Sequence, residues 1–545
     1  MQEFNKYVVR ANRNFLETLS GQQDQKAVKP KVLIISSFCE LSGAGQPVLD
    51  IVEAVRLGIN SAGGIGIHVP VAGISNVLAK AENYSNVIEP IKENTTNYID
   101  TILTTAQFDA CVFVPFGESG IKGMCLAAAK LNVPCLFIGV GPNRPVDYKG
   151  EKLTQSSVYT ISAQKFLGQI DEATLKDFAE NYLPNFGEGE GIYTSNALNC
   201  MIEVLGLSVK NAGTAECGSA ERKKIATETG RAIVRMAKEQ ISPKKILTRA
   251  NFQNAISLVL AIGADTNTIS FIREFGAALN VEISLKQIEE ISDKTPFLAS
   301  IYPISENIFM HDFHAAGGVY GVLSRLLKIG KLNDKALDYD GESMSLEIKR
   351  TKVFEKHIIL DGEKEMLLSD NPLLVMGGTI AEKGAFLRRT TLFKGLNGFS
   401  GYAMVFEGEE TACHAIYAGR VKKGTVVVVR NLGQKGGPGK VAITYVQAAI
   451  RAAGLETDVA VITDGKSSSL FGGLVVSEIG PEAYEQQDLA FLADDDVIEI
   501  NMDSARLNSK LNAKDLNTRR RQYSPHVRYE ASATDKFYKK TTTTR

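Results

Sequence analysis

At 545 residues the chain is longer than one hydrophobic core accommodates, so two or three domains are expected. Hydrophobic residues make up 44% and charged residues 23%, as in soluble globular proteins, and a net charge of −1 gives no electrostatic drive toward nucleic acid or an anionic membrane. No run is long enough to span a bilayer, and Met1–Phe15 is polar and mixed in charge without a signal-peptide core, so the expected compartment is the cytoplasm. The seven cysteines (Cys39, Cys111, Cys125, Cys135, Cys200, Cys217 and Cys413) form no CxxC pair. They read as structural thiols of a reducing compartment, with a site built from distant cysteines left open.

Residues up to Val28 read as a helix and a polar linker. KVLIISSF (Lys31–Phe38) reads as a strand leading into the loop ELSGAG. VLDIVEAVRLGINSAGG is an amphipathic helix stopped by Gly63 and Gly64. IGIHVPVAGIS and ACVFVPFGESG give two more strands. IKGMCLAAAKLN gives a helix and VPCLFIGVGP a fourth strand. This alternation predicts an α/β fold with a parallel sheet. Ligands of such sheets lie beyond the carboxyl ends of the strands, which groups Glu40–Gly45, Val71–Ser75 and Phe116–Gly120.

From Thr154 to Leu327 the pattern is mostly helical, interrupted by the polar turn GADTNT (Gly263–Thr268). His311, Asp312 and His314 admit two readings, metal ligands or a helix cap with solvated histidines. Charged, irregular sequence between Lys331 and Asp370 marks a boundary, giving domains 1–345 and 346–545. Short apolar runs separated by glycine turns then predict a C-terminal β-barrel-like domain. The polar, basic tail reads as a docked helix followed by a disordered end.

Five of the eight residues in GQKGGPGK (Gly433–Lys440) are Gly or Pro, so this segment is a loop. Closely spaced glycines expose N–H groups and admit a ligand near the chain. VVVVR (Val426–Arg430) leads in as a buried strand, and DVAVITDG brings a second strand to a similar turn. Two such strands make a pocket mouth, or else a pair of tight turns.

The order of these segments resembles one family along nearly the whole chain. FDACVFVPFGESG, AAAKLNVPCLFIGVGP, GIYTSNALNCMIEVLGLS, ILTRANFQNAISLVLAIGADTNT, MHDFHAAGGVYGVLSRLL, AMVFEGEETACHAIYAGRVKKGTVVVVR, GQKGGPGK and ITDGKSSSLFGGLVVSEIGPEA are similar to dihydroxy-acid and phosphogluconate dehydratases. The resemblance implies an N-terminal α/β domain with helical additions, a C-terminal β-barrel and a homodimer with the site between domains. It also implies conversion of a 2,3-dihydroxy acid to a 2-keto acid. An iron–sulfur cluster would act on the leaving hydroxyl, magnesium would hold the carboxylate, and a serine would take the proton from the 2-carbon.

The chain departs from that pattern at the ligands. The cluster cysteines fall on Ala44, Gly117 and Gly189, which cannot replace thiolates. Cys39 lies five residues from the first of these places, and Cys200 matches a family cysteine that is not a ligand. The magnesium ligands fall on Ala72, Glu118, Ser119 and Ala442, leaving one carboxylate that can still bind a cation. Ser468 falls on the family's base serine, with Ser467 and Ser469 beside it. Asp265 replaces a family serine before Thr266 and Asn267, and Glu407 matches a glutamate taken as structural.

The candidate catalytic residues are therefore Ser468, Glu118 as general acid, and Lys440 as positive charge near the magnesium place. The candidate substrate-binding residues are Ser119, Asp265, Thr266, Asn267, Lys435, Gly436, Gly437, Asp464, Gly465 and Ser467. Glu188, Glu190 and Lys466 are further charges that the pocket gains. No cofactor or metal is expected. The partners are a small carboxylic-acid ligand and a second copy of the chain, without nucleic acid or membrane. One reading is a cluster-free lyase or proton-transfer enzyme on a small hydroxy, keto or amino acid. The alternative is a non-catalytic relative that binds a small molecule or serves as a structural dimer. An ordinary iron–sulfur dehydratase contradicts the ligand census.

Overall fold

The computed structural model describes residues 29–71, 73, 88–105, 108–182, 186–367, 372–390, 392, 395–435, 437, 439 and 441–523. The expected N-terminal helix, Ala72 and the end of the basic tail lie outside them.

The first half alternates as predicted: β1 (Lys31–Ser36), α1 (Gly45–Ser61), β2 (Ile65–Pro70), α2 (Ile88–Thr105), β3 (Ala110–Val114), α3 (Gly117–Leu131) and β4 (Cys135–Phe137). The strands form a parallel sheet of order β2-β1-β3-β4. β1 and β3 are buried along their whole length because helices cover both faces, which is why they read as unbroken apolar runs. Alternation along β1 sends Val32 and Ile34 into one core with Val48, Val52 and Ile233, and Leu33 and Ile35 into another with Ile99 and Met124. The chain leaves β1 toward β2 on one side and β3 toward β4 on the other. A crevice therefore opens between the carboxyl ends of β1 and β3, the switch point of the sheet.

The helical run includes α4 (Gln155–Phe166), α5 (Glu172–Asn181), α6 (Thr194–Val204), α7 (Ala220–Glu239) and α8 (Thr266–Ala278). Asp312 accepts the Phe309 N–H at 2.9 Å. His314 bonds Thr214 at 2.9 Å and Glu221 at 3.2 Å. The cap expected of Asp312 is met, but the histidines are half-buried, and His314 is held by protein groups where solvation was expected.

The second half contains β5 (Leu373–Met376), β6 (Gly384–Arg388), β7 (Gly398–Glu407), α9 (Glu409–Tyr417), β8 (Thr425–Arg430), α10 (Thr444–Ala452), β9 (Ala460–Thr463), β10 (Leu474–Gly480), β11 (Val497–Asn501) and β12 (Arg506–Ser509). They form one eight-stranded sheet of order β12-β11-β7-β8-β9-β10-β6-β5, nearly closed by a bridge between Gly377 and Arg506. The barrel-like expectation is met. Beyond the predicted strands the domain holds α9 and α10, the crossovers that let β7, β8 and β9 run parallel. The tail begins with α11 (Ala513–Gln522), docked where Arg519 meets Asp496 and Tyr523 meets Phe491. No helix among the described residues is long and apolar enough to cross a membrane.

Candidate active site

A cavity of about 870 Å³ lies between the crevice of the parallel sheet and the barrel. Ala44, Gly117–Ser119, Glu188–Glu190 and Thr194 line it from the first domain, and Val441, Ala442, Lys466, Ser468 and Ser469 from the second. A second cavity of about 440 Å³ adjoins it and shares Glu89, Lys92, Lys122, Asn267, Gly439 and Lys466 with it.

The start of α3 places two carboxylates on this cavity. Phe116 is extended and Gly117 turns into the helix at φ +74°, a conformation that favours glycine. Its N–H donates to both carboxyl oxygens of Glu188, at 3.0 and 3.2 Å. Burial pushes Glu188 up to about 7, against the Gly117 N–H, Ser195 and Arg222. Glu118, the next residue of α3, behaves oppositely. Lys122 stands one helical turn along and donates to it at 2.6 Å. Burial raises Glu118, but Lys122, Lys466 and Lys92 together hold it below the usual carboxylate range. Glu118 therefore stays ionised at neutral pH, a poor state for the general acid expected of it.

Cations gather at the same end. Burial works against the charge of Lys122, yet Glu118 keeps it above its ordinary value. Lys92 pairs with Glu89 at 2.9 Å and Glu274 at 2.8 Å, which likewise outweighs its burial. Lys466 differs: burial, then Lys122, lower its pKa, against Glu118, Glu478 and Glu89. Asn267, at the start of α8, lines both cavities, and its buried Oδ1 has no partner among the described residues.

The structure divides the predicted residues. Glu118, Ser119, Asn267 and Ser468 line the cavity. Ser119 donates to the Ile88 carbonyl at 3.1 Å, and Ser468 accepts from Thr444 at 3.2 Å. The others described here serve the scaffold. Asp265 caps α8 through the Thr268 N–H at 2.8 Å and accepts from Thr194 at 2.6 Å. Thr266 and Ser467 bond each other at 3.3 Å behind the wall. Asp464 accepts the N–H groups of Asn431, Leu432 and Ala483, tying the turns after β8 and β9 together. Gly465 packs so closely that a Cβ would stand 2.7 Å from the Val441 carbonyl, and one on Gly437 would stand 2.6 Å from the Asn431 carbonyl. Lys435 points to Glu485 at 2.6 Å on the surface. Gly436 and Lys440 lie outside the described residues. Glu407 pairs with Arg430 at 2.7 Å, consistent with a structural part.

Sequence reasoning did not single out Lys92 or Lys122. Lys122 carried a usable signal, its i,i+4 spacing from Glu118, hidden because the predicted helix began at Ile121 whereas the observed one begins at Gly117. Lys92 lies in a stretch where the resemblance is weak and carried none.

The family profile described as dihydroxy-acid/6-phosphogluconate dehydratase N-terminal matches residues 29–347, and the C-terminal profile of the same family matches 359–545. The chain belongs to the dihydroxy-acid/6-phosphogluconate dehydratase family. Among its relatives, a dihydroxy-acid dehydratase of Pyrococcus abyssi is 31% identical over 96% of this chain and 94% of its own length. One of Caldanaerobacter subterraneus subsp. tengcongensis is 32% identical over 94% and 92%. Dihydroxy-acid dehydratase 1 of Methanosarcina acetivorans is 31% identical over 94% and 93%.

Within this dehydratase fold, Ala44, Gly117 and Gly189, the positions matched to cluster cysteines, all reach one cavity wall. Their side chains offer no donor to iron. Gly189 has φ +86°, and a Cβ there would stand 2.7 Å from the ring of Tyr193. Cys111, Cys125, Cys135, Cys200 and Cys413 are buried and Cys39 and Cys217 half-buried, and no cysteine lines the cavity. Burial holds the thiols of Cys111, Cys125, Cys135 and Cys200 protonated. Among the described residues, no group of three or more His, Cys, Asp and Glu side chains is placed to hold a metal ion. The residues present do not fit a thiolate-held cluster.

Proposed function

We propose that this dehydratase-family chain is a lyase that removes water from a small hydroxy carboxylic acid with its own acid and base groups in place of an iron–sulfur cluster. The observation that carries this reading is Glu188, a buried carboxyl at about 7 on the wall where the cluster ligands would stand. A group at that value is protonated in about half of the molecules at neutral pH and exchanges its proton readily. The substrate carboxylate faces the ammonium groups of Lys122 and Lys92. Asn267 Oδ1 accepts from a substrate hydroxyl. Lys466, its amine made easier to deprotonate, takes the proton from the 2-carbon beside Ser468. Glu188 gives a proton to the 3-hydroxyl as the carbon–oxygen bond breaks. Water leaves, and the enol tautomerises to a 2-keto acid. Glu118 remains ionised and positions Lys122.

The test uses protein stripped with a chelator and checked for iron and sulfide, incubated with a panel of 2,3-dihydroxy acids and followed by hydrazone detection of 2-keto product. Turnover without iron that collapses in Glu188→Gln supports the reading. Turnover only after iron and sulfide are restored would sink it. Ligand binding without turnover in any metal state would turn the chain into a binding relative. The working assembly proposed is a homodimer, which light scattering on the purified chain checks directly.

A further inference from the structure

The cavity has two chemically distinct ends. Lys92, Lys122 and Lys466, with the glutamates that face them, form the end shared with the second cavity. The other end is built from rings: Tyr159 on α4, Tyr182 just after α5, Phe186, Tyr193 and Tyr445 on α10. Tyr159 and Tyr445 meet edge to face at 5.6 Å, joining the two domains across this end. Burial keeps the phenols of Tyr159 and Tyr182 protonated, so these rings carry no charge, and the carboxyl beside them, Glu190, accepts from the Tyr193 hydroxyl at 2.7 Å. The cavity's 870 Å³ falls toward the top of the range, about 300–1,000 Å³, that holds drug-sized ligands. A four- or five-carbon acid leaves most of that space unfilled.

We propose that the ring-lined end is a subsite for an aromatic group, so that the ligand is a carboxylic acid bearing an aromatic substituent. This rests on the carboxylate reading given above and adds the substrate class. Faces and edges of neutral rings select another ring through stacked and edge-on contacts as well as through apolar burial. The ammonium groups of Lys92 and Lys122 at the lysine–glutamate end fix the orientation, with the acid toward them and the ring toward Tyr159 and Tyr445.

Calorimetry with 3-phenyllactate, lactate and 3-phenylpropan-1-ol separates the two claims. Phenyllactate should bind about tenfold or more tighter than lactate. Tyr445→Ala should remove most of that advantage and leave lactate unchanged, while Tyr445→Phe should retain it. Equal affinity for phenyllactate and lactate would overturn the aromatic subsite and leave the carboxylate reading standing. Equal affinity for phenyllactate and phenylpropanol would overturn the carboxylate reading and with it the proposed ligand. Binding by none of the three overturns both.

Discussion

Glu118 and Glu188 stand on one cavity and are driven in opposite directions from the ordinary carboxyl value. Both are withdrawn from water, which by itself favours the neutral acid. Glu118 has a lysine one helical turn away and two more at longer range, and its charge survives. Glu188 has a peptide N–H, a hydroxyl and, as its weakest opposing influence, the Arg222 guanidinium, and the compensation falls short. The difference shows that the cation neighbourhood, more than depth, sets which carboxyl holds a proton. Two carboxyls driven apart in this way supply an ionised group and a proton donor at one pH.

The pair Glu118–Lys122 gives the strongest test of that contrast. Lys122→Met leaves a carboxylate in the cavity wall without its closest partner, and should cost about 3 kcal/mol in urea unfolding, with the Glu118→Gln/Lys122→Met double variant recovering much of it. Glu188→Gln should leave the fold intact but lower kcat roughly 100- to 1,000-fold in the turnover assay, and should remove the limb of the pH–rate profile near 7. The same variant should alter stability against pH. Glu188 is raised from 4.5 to about 7, so the stability it confers is complete below about 4.5 and is lost as pH rises through about 7. That loss is worth roughly 3 kcal/mol, and Glu188→Gln should flatten the wild-type decline over this window by a comparable amount. Glu203, also raised to about 7 by burial, keeps part of the slope in the variant. The smallest effect belongs to Lys435→Ala. Its partner Glu485 is met at the surface, where solvent screens the pair, so the urea midpoint and turnover should both stay at the wild-type values.

Much of the architecture was legible because the residues that build it are local in sequence. The runs at Val32–Ile35 and Val426–Val429 announce buried strands, and the alternation around them gives the parallel sheet and the barrel-like sheet. The glycine turns after β8 and β9 were also visible, but their role was not. A sequence shows that Asp464 sits in a turn. It does not show that its carboxylate is already committed to three peptide N–H groups, one of them on Ala483. Asp265 is concealed in the same way by its cap on Thr268. Lys92 reaches the cavity from α2 and Lys466 from the barrel, a meeting fixed only by how the two domains pack. The protonation contrast between Glu118 and Glu188 depends on that packing too.

The ring of Tyr193 against Gly189 limits which side chains that wall can carry. A cysteine introduced at position 189 meets the ring at once and must adopt a backbone angle that side chains rarely tolerate. Removing the ring first strips Glu190 of the phenol that donates to it at 2.7 Å. Each single substitution toward a thiolate at this place is therefore expected to lower stability. Position 189 and the Tyr193–Glu190 bond are therefore coupled, and a cysteine there calls for compensating changes around it.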